Sequence, residues 1–252
     1  MLHAEVSGAG SRLVLLHGFT QTAGSWQPVT AAFAVDHEVV VVDLPGHGRS
    51  GDVRAGLWET AALVAETGAS ATYIGYSYGG RVALHLALAN PAVVERLVLV
   101  STTAGIDDPT ERDDRRTSDE ALAERLEQIG LDDFLEEWLA QPLFADLPAE
   151  AAGLEDRRTN TVDGLAASLR SSGTGAMDPP LWDRLAELEM PVLVIAGEAD
   201  ARFRRLGAEL VRSIGDNAEL IVVGDAGHAV PFEQPESFTD AVRRWFQAVE
   251  DV

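Results

Sequence analysis

Short, unbroken apolar runs alternate with stretches of helical spacing along most of this chain. Leu13-Val14-Leu15-Leu16, Val39-Val40-Val41-Val42, Tyr73-Ile74, Leu97-Val98-Leu99-Val100, Val192-Leu193-Val194-Ile195 and Leu220-Ile221-Val222-Val223 contain no charged residue. A strand with one wet face would turn polar at every second position. These runs therefore predict strands buried on both faces, as in a parallel sheet. Between them the spacing predicts helices over about 26–34, 60–67, 78–88, 203–214 and 236–249. Strand and helix in alternation predict an α/β fold with a mostly parallel, doubly wound sheet, its ligands at the carboxyl ends of the strands.

The pattern changes over 104–178, where no strand-like run occurs and helical spacing takes over. Leu122, Leu126 and Ile129 share one face, Gly130 reads as a C-terminal stop, and Asp132 reads as the N-cap of a second helix carrying Phe134, Leu135, Trp138 and Leu139. The segment holds 19 acidic residues and 7 Arg, an acidity expected on solvated outer helix faces. An all-helical insertion between two strands predicts a lid over their carboxyl ends. The expected organisation is a core built from 1–103 and 179–252 with a lid at 104–178. Ser171 to Gly175 reads as a short flexible stretch, and no repeat is visible.

Composition narrows the function. The 252 residues include 41 Asp+Glu, 19 basic residues that are all Arg, and no Cys, for a net charge of −22. Without Cys there is no disulfide framework, thiolate metal site or Cys nucleophile. Without Lys there is no Schiff-base chemistry, and any cationic contact to substrate comes from guanidinium groups. Such negative charge disfavours nucleic-acid and anionic-membrane partners. No apolar run reaches the roughly 18–20 residues of a membrane span, and the first residues lack the pattern of a signal peptide. A soluble cytoplasmic protein with a small-molecule substrate is expected, and the sequence assigns no oligomeric state.

The strongest chemical signal is Gly75-Tyr76-Ser77-Tyr78-Gly79-Gly80, between a strand run and a helical one. In that context G-x-S-x-G predicts a tight corner that projects a strained serine from the sheet edge. A serine hydroxyl needs a base, and the base an acid, in chain order Ser, Asp or Glu, His. His228, beyond the last strand run, is the candidate base. Asp200, beyond the preceding one, is the candidate acid, with Glu198 and Asp225 as alternatives. The backbone N–H of Tyr78 and that of Phe19, in the His17-Gly18-Phe19 loop, are candidates for an oxyanion hole. His17 is expected to brace that loop and His47 to be a loop residue, while His3, His37 and His85 are expected at the surface or in packing. Nothing in this set requires a metal or an organic cofactor.

Leu16-His17-Gly18-Phe19, Asp43-Leu44-Pro45-Gly46-His47-Gly48, the serine corner, Gly197–Asp200 and Gly227-His228 together resemble the α/β-hydrolase superfamily. Further features are similar to one family within it, the 2-succinyl-6-hydroxy-2,4-cyclohexadiene-1-carboxylate (SHCHC) synthases of menaquinone biosynthesis. These are Gly79-Gly80-Arg81, Arg112 to Asp119, Trp138 with Gln141-Pro142-Leu143-Phe144, Arg158-Thr159-Asn160, and Gly197 to Phe203. The resemblance implies a cofactor-independent lyase that eliminates pyruvate from 2-succinyl-5-enolpyruvyl-6-hydroxy-3-cyclohexene-1-carboxylate. It implies Ser77, Asp200 and His228 as the catalytic triad, and Arg81, Arg115 and Arg158 as ligands of the substrate carboxylates. Tyr76 and Trp138 would line the pocket. The choice within Arg115-Arg116 and within Arg157-Arg158 stays open. Two positions depart from the family pattern: Tyr78 stands where an aliphatic residue is usual, and Pro231 where a polar one is.

Physical reasoning points the same way, because a tricarboxylate entering so acidic a protein needs concentrated guanidinium charge. The alternative is a serine hydrolase that cleaves an ester or a C–C bond through an acyl-enzyme. A non-catalytic binding protein is a third reading, against which the intact Ser, Asp, His order counts.

Overall fold

The computed structural model describes residues 1–250. Its seven strands are β1 (Ala4–Gly8), β2 (Ser11–Leu16), β3 (His37–Val42), β4 (Ala71–Tyr76), β5 (Val94–Val100), β6 (Val192–Gly197) and β7 (Ala218–Val223). The ten helices are α1 (Gln27–Phe33), α2 (Leu57–Gly68), α3 (Tyr78–Ala89), α4 (Pro109–Ile129), α5 (Leu131–Leu139), α6 (Leu154–Arg157), α7 (Val162–Ser172), α8 (Ala201–Ile214), α9 (Val230–Glu233) and α10 (Pro235–Glu250), with short 3-10 turns among them. The strands form one sheet in the order β1-β3-β2-β4-β5-β6-β7, parallel except for β1, which runs antiparallel to β3.

The apolar runs lie where two-sided burial puts them. Along β2, Val14 and Leu16 face a core shared with α2 and α3, while Leu13 and Leu15 face Trp26, Phe33, Phe238 and Trp245 on the other side. Consecutive residues thus enter opposite cores, and no position from Leu13 to Leu16 is free to be polar, while Ser11 and Arg12 at the start of the strand lie outside both cores. Two strands differ from the expectation. β1 is a mostly exposed edge strand of mixed polarity, so it has no apolar run to announce it. β7 forms the opposite edge, and its Val222 is exposed. Among the described residues no helix is long and apolar enough to cross a membrane.

Between β5 and β6 the chain forms only helices and turns. This segment closes at its base, where the Leu181 N–H donates to the Ala104 carbonyl at 2.7 Å and Trp182 Nε1 to that of Gly105 at 3.1 Å. It has its own small core of Ala123, Leu126, Phe134, Leu165, Ala166 and Leu169. Gly130, at φ 81°, ends α4 and also caps α5, so Asp132 lies inside the first turn of α5 and is not its N-cap. The stretch expected to be flexible is helical instead, since Ser171 and Ser172 end α7 and residues 174–176 form a 3-10 turn.

Candidate active site

The corner at the end of β4 follows from two close approaches. A Cβ on Gly75 would lie 2.4 Å from the Gly79 carbonyl oxygen, and one on Gly79 would lie 2.2 Å from the Leu16 carbonyl oxygen. Only glycine at both positions lets α3 pack directly on β4 and on the loop after β2. Ser77 between them has φ 51°, ψ −105°. Its backbone is pinned on both sides, as its N–H donates to the Val100 carbonyl at 2.9 Å and its own carbonyl accepts from Thr102 Oγ1 at 2.8 Å.

Ser77 Oγ lies 3.3 Å from His228 Nε2, and His228 Nδ1 lies 2.9 Å from Asp200 Oδ2. With Nδ1 donating to the carboxylate, Nε2 is left to accept from the serine hydroxyl. Asp200 caps α8 through its other oxygen, which accepts the Phe203 N–H at 3.0 Å. Burial pushes the Asp200 carboxyl up, but the hydrogen bonds from His228 and from backbone N–H groups outweigh it and hold the group below its ordinary value. Glu198 instead receives the Asp225 N–H, and neither of these two bonds to His228. The histidine loop is held from behind by Glu233, which accepts the N–H groups of Gly227 and Ala229. Phe203 packs against the imidazole with ring centres 4.5 Å apart and planes tilted by 56°.

The backbone N–H groups of Phe19 and Tyr78, two residues that line the same cavity as Ser77, have no protein acceptor among the described residues. The Gly18 N–H is taken by Gln21 Oε1 at 3.0 Å, which leaves Phe19 as the donor of that loop. His17 braces it, accepting the Leu44 N–H at Nε2 and donating from Nδ1 to the Gly18 carbonyl. Burial holds His17 down to about 4, so it is neutral. His47 is more than a loop residue, because it is fully buried against His17 at 4.9 Å and held down to about 3 by burial and by that neighbour. The Tyr78 hydroxyl is buried near those of Ser172, Ser168 and Thr60, without a hydrogen bond of acceptable geometry to any of them.

A cavity of about 460 Å³ opens over Ser77, roofed by the inserted helices. Tyr76 and Trp138 line it. The Tyr76 ring packs on His228 at 5.5 Å and Trp138 meets Phe19 edge-on at 5.1 Å. Arg81 lines it as a buried group whose Nη1 donates to the Ser172 carbonyl at the end of α7, with its guanidinium 5.3 Å over the Tyr78 ring. Burial, helped by nearby Arg115, holds Arg81 down to about 10, so it stays charged at neutral pH. Arg115 also lines the cavity, its Nε bonded at 2.7 Å to the buried Asp119.

Arg158 does not line the cavity. It lies on the surface, bonded to Asp132 at 2.7 Å and Glu155 at 2.5 Å. Its neighbour Arg157 occupies the inner position and is 2 % exposed. The two residues sit at the end of the one-turn α6 and point to opposite sides, and the exposed one finds the acidic outer face. Arg157 donates from Nε to the Ala152 carbonyl at 2.7 Å and from Nη1 to Thr20 Oγ1, and burial holds it down to about 10. Arg202 is a fourth arginine of the cavity, one that sequence reasoning passed over although it follows Asp200 by two residues. Four arginines therefore face one carboxylate, Asp119, within a chain of net charge −22. Among the described residues no group of His, Asp and Glu is arranged to hold a metal ion.

The family described as alpha/beta hydrolase matches residues 13–241. The 2-succinyl-6-hydroxy-2,4-cyclohexadiene-1-carboxylate synthase of Citrobacter koseri is 34% identical, over 96% of this chain and 97% of its own length. The structure of MenH from S. aureus superposes with a TM-score of 0.91 at 30% identity, covering 98% of this chain and 99% of the other. A thermophilic esterase from Thermogutta terrifontis, solved with malate bound, gives a TM-score of 0.81 at 27% identity, covering 98% of this chain and 93% of its own. Sheet order, serine corner and similarity along nearly the whole length agree, and the chain belongs to the α/β-hydrolase family, where it is similar to the SHCHC synthases.

Proposed function

We propose that the protein is a lyase of menaquinone biosynthesis, eliminating pyruvate from 2-succinyl-5-enolpyruvyl-6-hydroxy-3-cyclohexene-1-carboxylate to give SHCHC. The observation that carries this reading is the charge of the cavity, four arginines against one aspartate in a strongly acidic chain. A neutral ester gives such a cavity nothing to neutralise, whereas a tricarboxylate does. Similarity to the synthases from end to end supports the same assignment.

In this reading Ser77, His228 and Asp200 act as a base. His228, oriented by Asp200, draws the proton from Ser77, and the serine oxygen removes the ring proton beside the succinyl carbonyl. The N–H groups of Phe19 and Tyr78 hold the enolate oxygen as charge develops on it. The electron pair then moves through the ring double bond and breaks the C–O bond to the enolpyruvyl group. That group leaves, takes up the proton and becomes pyruvate. No step draws on a metal or an organic cofactor. Arg81, Arg115 and Arg157 are assigned to the carboxylates, with Tyr76 and Trp138 against the ring. Residues 104–178 serve as the lid, and the reading has the enzyme act in the cytoplasm.

The unpaired N–H groups of Phe19 and Tyr78 suit acyl transfer equally well, so ester hydrolysis is the second reading. The test is pyruvate release from the cyclohexene by the purified protein, with hydrolysis of a neutral aryl ester measured alongside. Rapid elimination with slow ester cleavage is expected. Rapid ester cleavage with an untouched cyclohexene would reverse the assignment.

A further inference from the structure

Thr20, the residue after Phe19, has φ 67°. Its neighbours form a four-residue turn in which the Gln21 N–H donates to the Gly18 carbonyl at 3.2 Å. A turn with positive φ at its third residue alone is of type II, which favours glycine or asparagine there. A β-branched side chain holds that conformation only where its surroundings impose it. Here they do so completely. The Thr20 N–H donates to His47 Nε2 at 3.3 Å, its carbonyl accepts from Asn160 Nδ2 at 2.7 Å, and its hydroxyl accepts from Arg157 Nη1.

Two of these three partners come from the inserted segment, about 140 residues away in the chain. Asn160 is itself fixed. Its second Nδ2 hydrogen goes to the Arg157 carbonyl at 2.9 Å, and its Oδ1 accepts the Gly48 N–H at 2.8 Å. Neither Asn160 nor Thr20 lines the cavity. Without the clamp a threonine at this position relaxes toward negative φ, which turns over the Phe19–Thr20 peptide and loosens the adjoining Gly18–Phe19 peptide that carries the Phe19 N–H.

We infer that Asn160, together with Arg157, is a positioning residue that sets the Phe19 oxyanion donor by holding Thr20 in its left-handed conformation from the lid. The inference rests on the proposed oxyanion role of Phe19 and not on the identity of the substrate.

The test compares Asn160→Ala, Thr20→Val and the double variant Asn160→Ala/Thr20→Gly with the wild type. Elimination, neutral-ester hydrolysis and amide exchange of residues 18–21 are followed. Displacing a donor by an ångström costs on the order of 100-fold. Asn160→Ala and Thr20→Val are expected to lower kcat about 10- to 100-fold on both substrates, to leave KM within about twofold, and to speed exchange in the turn. Glycine adopts positive φ freely, so the double variant is expected to recover at least about tenfold of the lost kcat. An unchanged kcat, a change confined to KM, or a loss that glycine does not repair would overturn the inference. Should Asn160→Ala fail to fold, the contrast between Thr20→Val (slowed) and Thr20→Gly (near wild type) decides the matter. If the wild type cleaves the ester but not the cyclohexene, the lyase reading fails while the ester series still decides this one. If it turns over neither, amide exchange decides alone.

Discussion

Arg157 and Arg158 are adjacent, chemically identical and differently placed, so exchanging each for Gln separates the cavity charge from the surface charge. Arg157 spends Nε on the Ala152 carbonyl and Nη1 on Thr20 Oγ1 and, at 3.5 Å, on the Phe19 carbonyl, and its Nη2 has no protein acceptor among the described residues. A substrate carboxylate meeting that free edge gains one or two charge-assisted hydrogen bonds, each worth about 1.5–3 kcal/mol. Losing one of them corresponds to roughly 10- to 100-fold in kcat/KM. Arg157→Gln is therefore expected to lower kcat/KM for elimination by at least about tenfold. Arg158, whose partners Asp132 and Glu155 are both exposed, faces solvent, and Arg158→Gln is expected to stay within about twofold of wild type. Pyruvate release coupled to lactate dehydrogenase, over a range of substrate concentrations, measures both. Equal losses, or a greater loss at Arg158, would show that the lid does not present Arg157 to the substrate.

Two further outcomes follow from the supports of the site. Glu233→Gln leaves one acceptor oxygen where the Gly227 and Ala229 N–H groups each had their own, so the His228 loop loosens. Steady-state kinetics should show kcat down by about tenfold with KM little changed, and an unaltered kcat would clear Glu233 of that role. His47, ordinarily 6.5 and held down to about 3, stays neutral in the fold while the unfolded chain takes up a proton. Its contribution to stability is complete above about pH 6.5 and is lost as the pH falls toward 3. At pH 5 the loss is about 2 kcal/mol. Urea unfolding of wild type and His47→Gln should therefore show a stability gap narrower at pH 5 than at pH 7.5, and a gap independent of pH would refute it.

The parts of this molecule that are legible in sequence are those whose cause is local. Two-sided burial writes an apolar run, and a glycine on either side of a serine after such a run writes the corner. β1 escapes because an exposed edge strand needs only backbone pairing with β3, which leaves no pattern in AEVSG. The arginine register escapes because α6 spans a single turn, too short for periodicity to say which of two neighbours faces inward. Thr20, Asn160 and Glu233 escape for another reason. Each acts through backbone groups of a loop that sequence alone does not bring to them, and a threonine gives no sign that its φ is positive.

The same distinction bears on how one triad can serve either elimination or hydrolysis. Ser77 with its imidazole can attack a carbonyl or remove a proton, and nothing in the triad itself selects between them. The choice falls to whatever fixes the substrate relative to the serine oxygen. In the proposed function the fixed points are guanidinium groups that burial has already taken out of water. Arg81 and Arg157 are buried deeply enough to be held down to about 10, yet both remain charged at neutral pH. Folding has already met the cost of desolvating them, so an arriving carboxylate finds donors that need no reorganisation, in surroundings where each hydrogen bond counts for more than at the surface. The 41 acidic residues do not cancel this field. Asp119, the carboxylate that lines the cavity, is tied to Arg115 and to the Gly175 N–H, and charges on the outer face of the inserted helices are screened over about 10 Å. An arrangement that held a carbonyl carbon over Ser77 would favour acyl transfer. One that anchors two or three carboxylates around a ring instead leaves a C–H bond beneath the serine oxygen, and the base then takes a proton.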